Sequence, residues 1–153
     1  MDDPKRILVV SRMTQYCQKA IQAGVSLAKK YDAALYVLHA VHNPFGLAGW
    51  NLGELFDLEV EHKKHLQKTR ESLDEIIYSE KEQGMDVRLL TPEGEPTEEI
   101  LKAVKEHSID LLIMLSHEEG RVEHFLFGRS NEAIVREMPC SILLVKKEPE
   151  PVK

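Results

Sequence analysis

Residues 111–145 decide the fold of this chain and read LLIMLSHEEGRVEHFLFGRSNEAIVREMPCSILLV. The stretch contains a short apolar run, a polar loop, Gly128 ahead of a short helical segment, and a second apolar run after Pro139. In an open parallel sheet, ligands lie beyond the carboxyl ends of the strands, where helix N-termini attract phosphate. The stretch therefore has the layout of a nucleotide site.

Five apolar runs alternate with segments of helical spacing along the chain. Most runs are continuous rather than alternating, as expected for strands that are covered on both faces. They lie at residues 7–10, 34–41, 87–90, 111–115 and 142–145. The resulting order β-α-β-α-β-α-β-α-β, joined by right-handed crossovers, predicts a three-layer α/β sandwich.

Glycine and proline residues bound the predicted helices. The long second helix is expected to stop at Gly84, because glycine favours the conformation that ends a helix. Pro96 suits the first position of the third helix. The fourth helix is short, from about Ser130 to Met138, and Pro139 ends it.

Composition indicates one ordinary domain. The chain has 153 residues, 42% of them hydrophobic and 30% charged, with a net charge of −6. That charge argues against nucleic acid or an anionic membrane as partner, and no apolar run approaches the ~20 residues of a membrane span. The two cysteines lack metal-type spacing and no signal-peptide pattern opens the sequence. We predict a domain over residues 1–147, a flexible tail over 148–153 and a cytoplasmic location.

Several segments resemble the universal stress protein family. They are KRILVV at 5–10, AALYVLHAV at 33–41, EGEP at 93–96 with IDLLIM at 109–114, and PCSILLV at 139–145. The resemblance covers nearly the whole chain. It implies a flavodoxin-like, doubly wound, parallel five-stranded sheet in the order 3-2-1-4-5. It also implies a stress-response role and a homodimer.

The predicted dimer pairs through the last strand. This strand is apolar and lies at the sheet edge in the family topology, and an unpaired apolar edge invites strand addition. A twofold antiparallel partner satisfies such an edge. The residues involved are Ser141, Ile142, Leu143, Leu144 and Val145. Another protein partner is an open alternative.

The ATP motif of the family is only partly present. ATP-binding members carry G-x2-G-x9-G-[S/T] after the fourth strand. Aligning the motif on residues 116–117 places its first glycine at Leu115 and its second at Glu118. The third falls on Gly128, which matches, and the hydroxyl residue falls on Arg129. The resemblance therefore implies a degenerate motif.

These departures have physical consequences for ATP. Leu115 and Glu118 add side chains where the backbone should approach phosphate closely, and Glu118 adds a negative charge beside it. The family's aspartate after the first strand falls on Arg12, which removes an acceptor for the nucleoside. We therefore predict that ATP is not bound in the family's usual manner.

The candidate ligand contacts surround the ends of the first, second and fourth strands. Arg12 and Arg129 could bind a phosphate or other anion, since arginine forms a fork suited to such groups. Alternatively, both arginines pair with nearby glutamates and close an empty crevice. The candidate residues are Ser11, Arg12, Ala40, Met114, Ser116, His117, Gly128, Arg129 and Ser130.

No catalytic apparatus is evident in the sequence. It lacks a P-loop, a dinucleotide-binding glycine motif and a G-x-S-x-G elbow. His39 and His42 would point to opposite faces of a strand, and His62 falls on the apolar stripe of the second helix. The long loop at 42–54 is either functional or a cover for the sheet edge.

Three hypotheses follow, and a weak ATPase ranks last because neither a catalytic base nor a metal ligand is evident in the sequence. The first is a non-enzymatic stress-response homodimer that acts through interaction, with no metal and no bound cofactor. The alternative is a sensor that binds a nucleotide or another anion at the switch point between the first and fourth strands.

Overall fold

The protein is built on a parallel five-stranded sheet in the order β3-β2-β1-β4-β5. The computed structural model describes residues 2–11, 17–39, 83–92, 94–115 and 129–146, together with Gln67, Glu71, Asp74, Glu75 and Tyr78. The strands are β1 (Arg6–Ser11), β2 (Ala34–His39), β3 (Val87–Leu90), β4 (Leu111–Leu115) and β5 (Ser141–Val145). All four strand pairings are parallel. The predicted flavodoxin-like fold and its strand order are confirmed.

The structure describes the bounds of three helices that connect the strands. They are α1 (Cys17–Tyr31), α2 (Pro96–Glu106) and α3 (Arg129–Glu137). The helix predicted from about Ser130 to Met138 agrees with α3 to within one residue at each end. Met138 has a φ of 43°, so it cannot continue a right-handed helix. Five separate positions between β2 and β3 are helical and exposed, which fits the polar face of the predicted long helix: Gln67, Glu71, Asp74, Glu75 and Tyr78. Its predicted apolar stripe lies outside the described residues.

Strand boundaries agree closely with the apolar runs. The runs at 87–90 and 111–115 match β3 and β4, while β1 and β5 extend slightly beyond theirs. The predicted second strand continued to Val41, whereas β2 is described to His39, and Ala40 and Val41 lie outside the described residues. Hydrophobic continuity therefore locates strands better than it locates their ends.

Both faces of the sheet are buried, which explains the continuous apolar runs. Alternate residues of β1 illustrate this, since Ile7 and Val9 pack on the α1 side whereas Leu8 and Val10 pack on the side of α2 and α3. All four side chains are at most 3% exposed. Burying each such side chain stabilises the fold by roughly 1.5–3 kcal/mol.

Helix α1 approaches the sheet closely at Gly24. A Cβ atom at this position would collide with Cγ2 of Val9 and would lie 3.2 Å from Cδ1 of Leu35. The missing side chain therefore permits the observed distance between α1 and the centre of the sheet.

The start of α2 is shaped by its flanking residues. Glu95 precedes the helix, and its Oε2 accepts a hydrogen bond of 2.9 Å from the backbone N–H of Glu98. Pro96 occupies the first turn, where its missing N–H has no cost. The prediction that the third helix begins at Pro96 is confirmed.

Asp110 fastens the amino ends of β1 and β4. Its carboxylate accepts hydrogen bonds from the backbone N–H groups of Lys5 and Arg6, at 3.0–3.3 Å. In return, the backbone N–H of Asp110 donates to the Arg6 carbonyl at 3.1 Å. The two central strands are thus held in register at the end opposite the candidate site.

Within the described residues, no helix is long and apolar enough to cross a membrane.

Candidate functional site

The carboxyl ends of β1 and β4 define the candidate site. These strands are neighbours at the centre of the sheet, with Ile7 aligned to Leu111 and Val9 aligned to Ile113. The helix after β1 packs on one face, whereas the helices on either side of β4 pack on the other. The strand order therefore reverses here, and a crevice at such a switch point is the usual ligand position of an open α/β sheet.

Asn131 attaches the first turn of α3 to the end of β4. Its side chain is 7% exposed, and Nδ2 donates a hydrogen bond of 2.9 Å to the Leu115 carbonyl. This bond holds the N-terminal turn of α3 beside the switch point, where its backbone N–H groups favour an anion. Sequence reasoning did not select Asn131. The available signal was a short polar side chain in the first turn of a helix, a position where such residues form local bonds.

Ser11 and His39 are buried polar residues at the ends of β1 and β2. They are aligned in the β1–β2 register, and their side chains are 1% and 2% exposed. Ser11 Oγ has no hydrogen-bond partner within the described part of the chain. Buried hydroxyl groups are normally satisfied by protein, water or a ligand. A polar group at this end of the sheet is therefore chemically suited to contact Ser11.

The other predicted contacts are placed unevenly. Met114 is fully buried and packs in the core between the sheet and the α2–α3 layer, so its side chain serves packing. Arg129 and Ser130 are the first two residues of α3. Five predicted contacts lie outside the described residues: Arg12, Ala40, Ser116, His117 and Gly128. Glu118 also lies outside them, and so does the predicted pairing of the arginines with nearby glutamates.

Leu115 is the position at which the resemblance implied the first glycine of an ATP motif. Its side chain is half-buried and packs against the core cluster on the α1 side. Its carbonyl is occupied by Asn131. Leu115 is therefore the packed end of a strand, whereas a phosphate-binding loop needs exposed backbone N–H groups at this position.

Cys140 lies just before β5 and is a free, half-buried thiol. Burial and the nearby Asp110 carboxylate raise the pKa of Cys140, while a backbone hydrogen bond from Leu112 opposes them. A raised thiol pKa lowers the thiolate fraction at neutral pH, so this cysteine is poorly suited to nucleophilic chemistry. Among the residues described, no group of three or more His, Cys, Asp or Glu side chains could hold a metal ion.

The strand order and the switch point define a flavodoxin-like α/β protein. The model of the universal stress protein family matches residues 4–146. The chain belongs to this family. One relative, universal stress protein MJ0531 of Methanocaldococcus jannaschii, is 26% identical over 147 residues, which cover 94% of this chain and 82% of the relative.

Solved structures share the same fold. The protein MJ0577 of Methanocaldococcus jannaschii superposes with a TM-score of 0.70 at 22% identity, covering 95% of this chain and 98% of that one. A universal stress protein family member of Arabidopsis thaliana with AMP bound gives a TM-score of 0.58 at 16% identity, covering 95% and 93%. At these identities, the likenesses establish the architecture alone.

Proposed function

We propose that this universal stress protein acts as a homodimer joined through β5, and that it works by interaction rather than by catalysis. We further propose a cytoplasmic location and no binding of ATP in the manner of the family's ATP-binding members. The observation that carries the proposal is the exposed apolar surface of β5 at the edge of the sheet.

Strand β5 presents apolar side chains on both of its faces. Leu143 is 38% exposed and Leu144 is 47% exposed, and alternation along the strand places them on opposite sides of the sheet. In the described sheet, β5 pairs with β4 along one side only. Its other side therefore offers backbone groups to a further strand.

A second copy of the chain is the partner that fits this edge. In a twofold antiparallel arrangement, β5 of each protomer extends the sheet of the other, and the same residues contact each other from both sides. The pairing would satisfy the free backbone groups and withdraw Leu143 and Leu144 from water. Each fully buried leucine contributes roughly 1.5–3 kcal/mol.

Sedimentation equilibrium at micromolar concentration tests the dimer. We expect a mass of twice the chain mass of 17.5 kDa. Native mass spectrometry of gently purified protein measures the same mass and also reveals a retained ligand. A stable monomer at these concentrations would contradict the proposal.

The second part of the proposal concerns ATP. Leu115 packs into the core where the family motif has glycine, and the sequence has Glu118, Arg129 and Arg12 at three further departures. We expect calorimetry with Mg-ATP to give a dissociation constant no tighter than roughly 100 μM, which corresponds to about −5.5 kcal/mol. A low-micromolar constant would show that the departures are tolerated.

A nucleotide- or anion-binding sensor is the second candidate function. It is supported by the buried Ser11 hydroxyl, by the α3 turn that Asn131 holds beside β4, and by the AMP bound to a relative of the same fold. Titration with AMP and inorganic phosphate tests it. If acidic groups occupy the crevice, Glu118→Gly should raise the affinity. If the crevice is a natural anion site, Arg129→Ala should abolish binding and Glu118→Gly should change it little.

A further inference from the structure

A groove at the β3 edge of the sheet, which is the edge opposite β5, has the features of a small-molecule site. It lies between α2 and β3 and has a volume of about 350 Å³, at the lower end of the range for ligand cavities. Leu38 and Leu90, which are aligned in the β2–β3 register, line it together with Ala103 of α2.

The fold explains why this groove is open. Helix α2 buries Ile100, Ala103 and Val104 in the cluster that also contains Leu8 and Leu112 of the central strands. Leu90 of β3 remains half-buried at the margin of the same cluster. The groove is therefore the part of the apolar sheet face that α2 does not cover.

One wall of the groove carries the Glu99 carboxylate, which lies close to Gly94. Glu99 is half-buried, and a Cβ atom at Gly94 would lie 2.7 Å from its Oε1. The absence of a side chain at Gly94 thus leaves the space that the Glu99 carboxylate occupies. No ion pair of Glu99 is formed within the described residues, whereas the neighbouring Lys102 is 4.0 Å from Glu106.

The charges around the groove select the ligand chemistry. Lys102 and Glu106 offset each other, and His107 stacks on Tyr36 with ring centroids 4.9 Å apart. Among the described residues of the groove, Glu99 is then the charged side chain without an ion pair, and it lies beside the half-buried Leu90. A half-buried carboxylate next to leucine side chains favours a ligand with an apolar body and a protonated amine.

We propose that the groove between α2 and β3 binds small amphipathic amines, with the ammonium group on Glu99 and the apolar body against Leu90 and Pro92, which are among the partly exposed apolar residues of its lining. The site is separate from the switch point and does not depend on how the crevice is occupied. It also does not depend on the β5 dimer, because it lies at the other edge of the sheet.

Three probes that share one apolar body test the proposal in the full chain. They are 2-phenylethylamine, neutral 2-phenylethanol and anionic 3-phenylpropionate, each titrated into ¹⁵N-labelled protein and followed by amide chemical shifts. The amine should move the amides of Leu90, Thr91 and Ala103 with the highest affinity, and the carboxylate with the lowest. Equal affinities for the three probes, or shifts confined to the ends of β1 and β4, would overturn it.

Two matched variants distinguish a specific effect of the Glu99 charge from a general effect of charge at the start of α2. Glu99→Gln should weaken binding of 2-phenylethylamine about fivefold, equivalent to about 1 kcal/mol, while leaving 2-phenylethanol unchanged. Glu98→Gln removes a charge from the same first turn of α2 but outside the groove lining, and should leave both affinities unchanged. Equal effects of the two variants would assign the preference to general electrostatics and refute a site on Glu99.

Discussion

The two edge strands of the sheet differ in how they are protected. β5 has the sequence SILLV, without a charged residue, and exposes Leu143 and Leu144. β3 has the sequence VRLL, and its Arg88 makes an ion pair of 3.5 Å with Asp86 and lies 5.5 Å from the centre of the Tyr36 ring. A charge on an edge strand opposes addition of another strand. The comparison indicates that β5 is suited to pairing and that β3 is suited to remaining an edge.

The largest expected effect is at β5. Leu144→Lys would place a charge in the paired edge, next to the same charge of the other protomer. We expect the dimer to weaken by about a hundredfold, equivalent to about 3 kcal/mol, because an unpaired buried charge costs several kcal/mol. Sedimentation over a concentration series measures the change.

The matched control removes a similarly exposed apolar side chain elsewhere. Tyr31, at the end of α1, is 43% exposed, close to the 47% of Leu144. Tyr31→Lys should leave the dimer intact. Equal weakening by both variants would remove the distinction between β5 and the rest of the surface.

A substitution at the centre of the sheet should lower the free energy of unfolding without changing how β5 and β3 associate. Gly24→Ala forces a Cβ atom against Val9, which is stiff because it is β-branched. We expect a loss of about 1–3 kcal/mol in the free energy of unfolding, since overpacking outweighs the better helix propensity of alanine. Urea denaturation measures it.

The dimer constant of the Gly24→Ala variant provides the second readout. It should equal that of the wild type under native conditions, because Gly24 lies in the α1–sheet contact and not at an edge. An unchanged or higher stability would mean that α1 moves outward freely, contrary to the close packing seen here.

Removing the charge from β3 should make the two edges more alike. Arg88→Leu exposes an apolar residue on an edge strand and breaks the ion pair with Asp86. We expect a few-fold increase in species larger than the dimer, detected by light scattering as the concentration rises. Arg136→Leu, on the exposed surface of α3, is the control and should not associate. A strictly dimeric Arg88→Leu protein would show that the charge does not protect β3.

The smallest expected effect is on the alkylation rate of Cys140, which lies just before β5. In a Cys17→Ser background, alkylation by iodoacetamide should require higher pH than for an exposed cysteine, because the Cys140 pKa is raised by burial and by Asp110. Asp110→Asn removes the negative charge, lowers the thiol pKa and should accelerate alkylation about two- to fivefold at a fixed pH near 8.

A carboxylate at the other edge is the control for this experiment. Asp86→Asn should leave the alkylation rate unchanged, since Asp110 is the charge that raises the Cys140 pKa. Acceleration by Asp86→Asn would indicate an effect of net charge rather than the local electrostatic effect of Asp110.

The sequence by itself determined the fold class and most element boundaries. Continuous apolar runs locate strands buried on both faces, and Pro96 and Pro139 mark where helices begin or cannot continue. These signals are local: each depends on a few neighbouring residues and on backbone geometry. The strand order and the family followed from the resemblance of several segments, and both are confirmed.

The tertiary structure alone decided which distant residues act together. Asn131 bonds to Leu115, and Asp110 bonds to Lys5 and Arg6 more than a hundred positions away. The alignment of Ser11 beside His39 likewise depends on the register between two strands. The α2–β3 groove depends on the space that Gly94 leaves for Glu99 and on the part of the sheet that α2 leaves uncovered. Sequence patterns record the periodicity of each element, but contacts between elements depend on packing in three dimensions, so these features appear only in the folded chain.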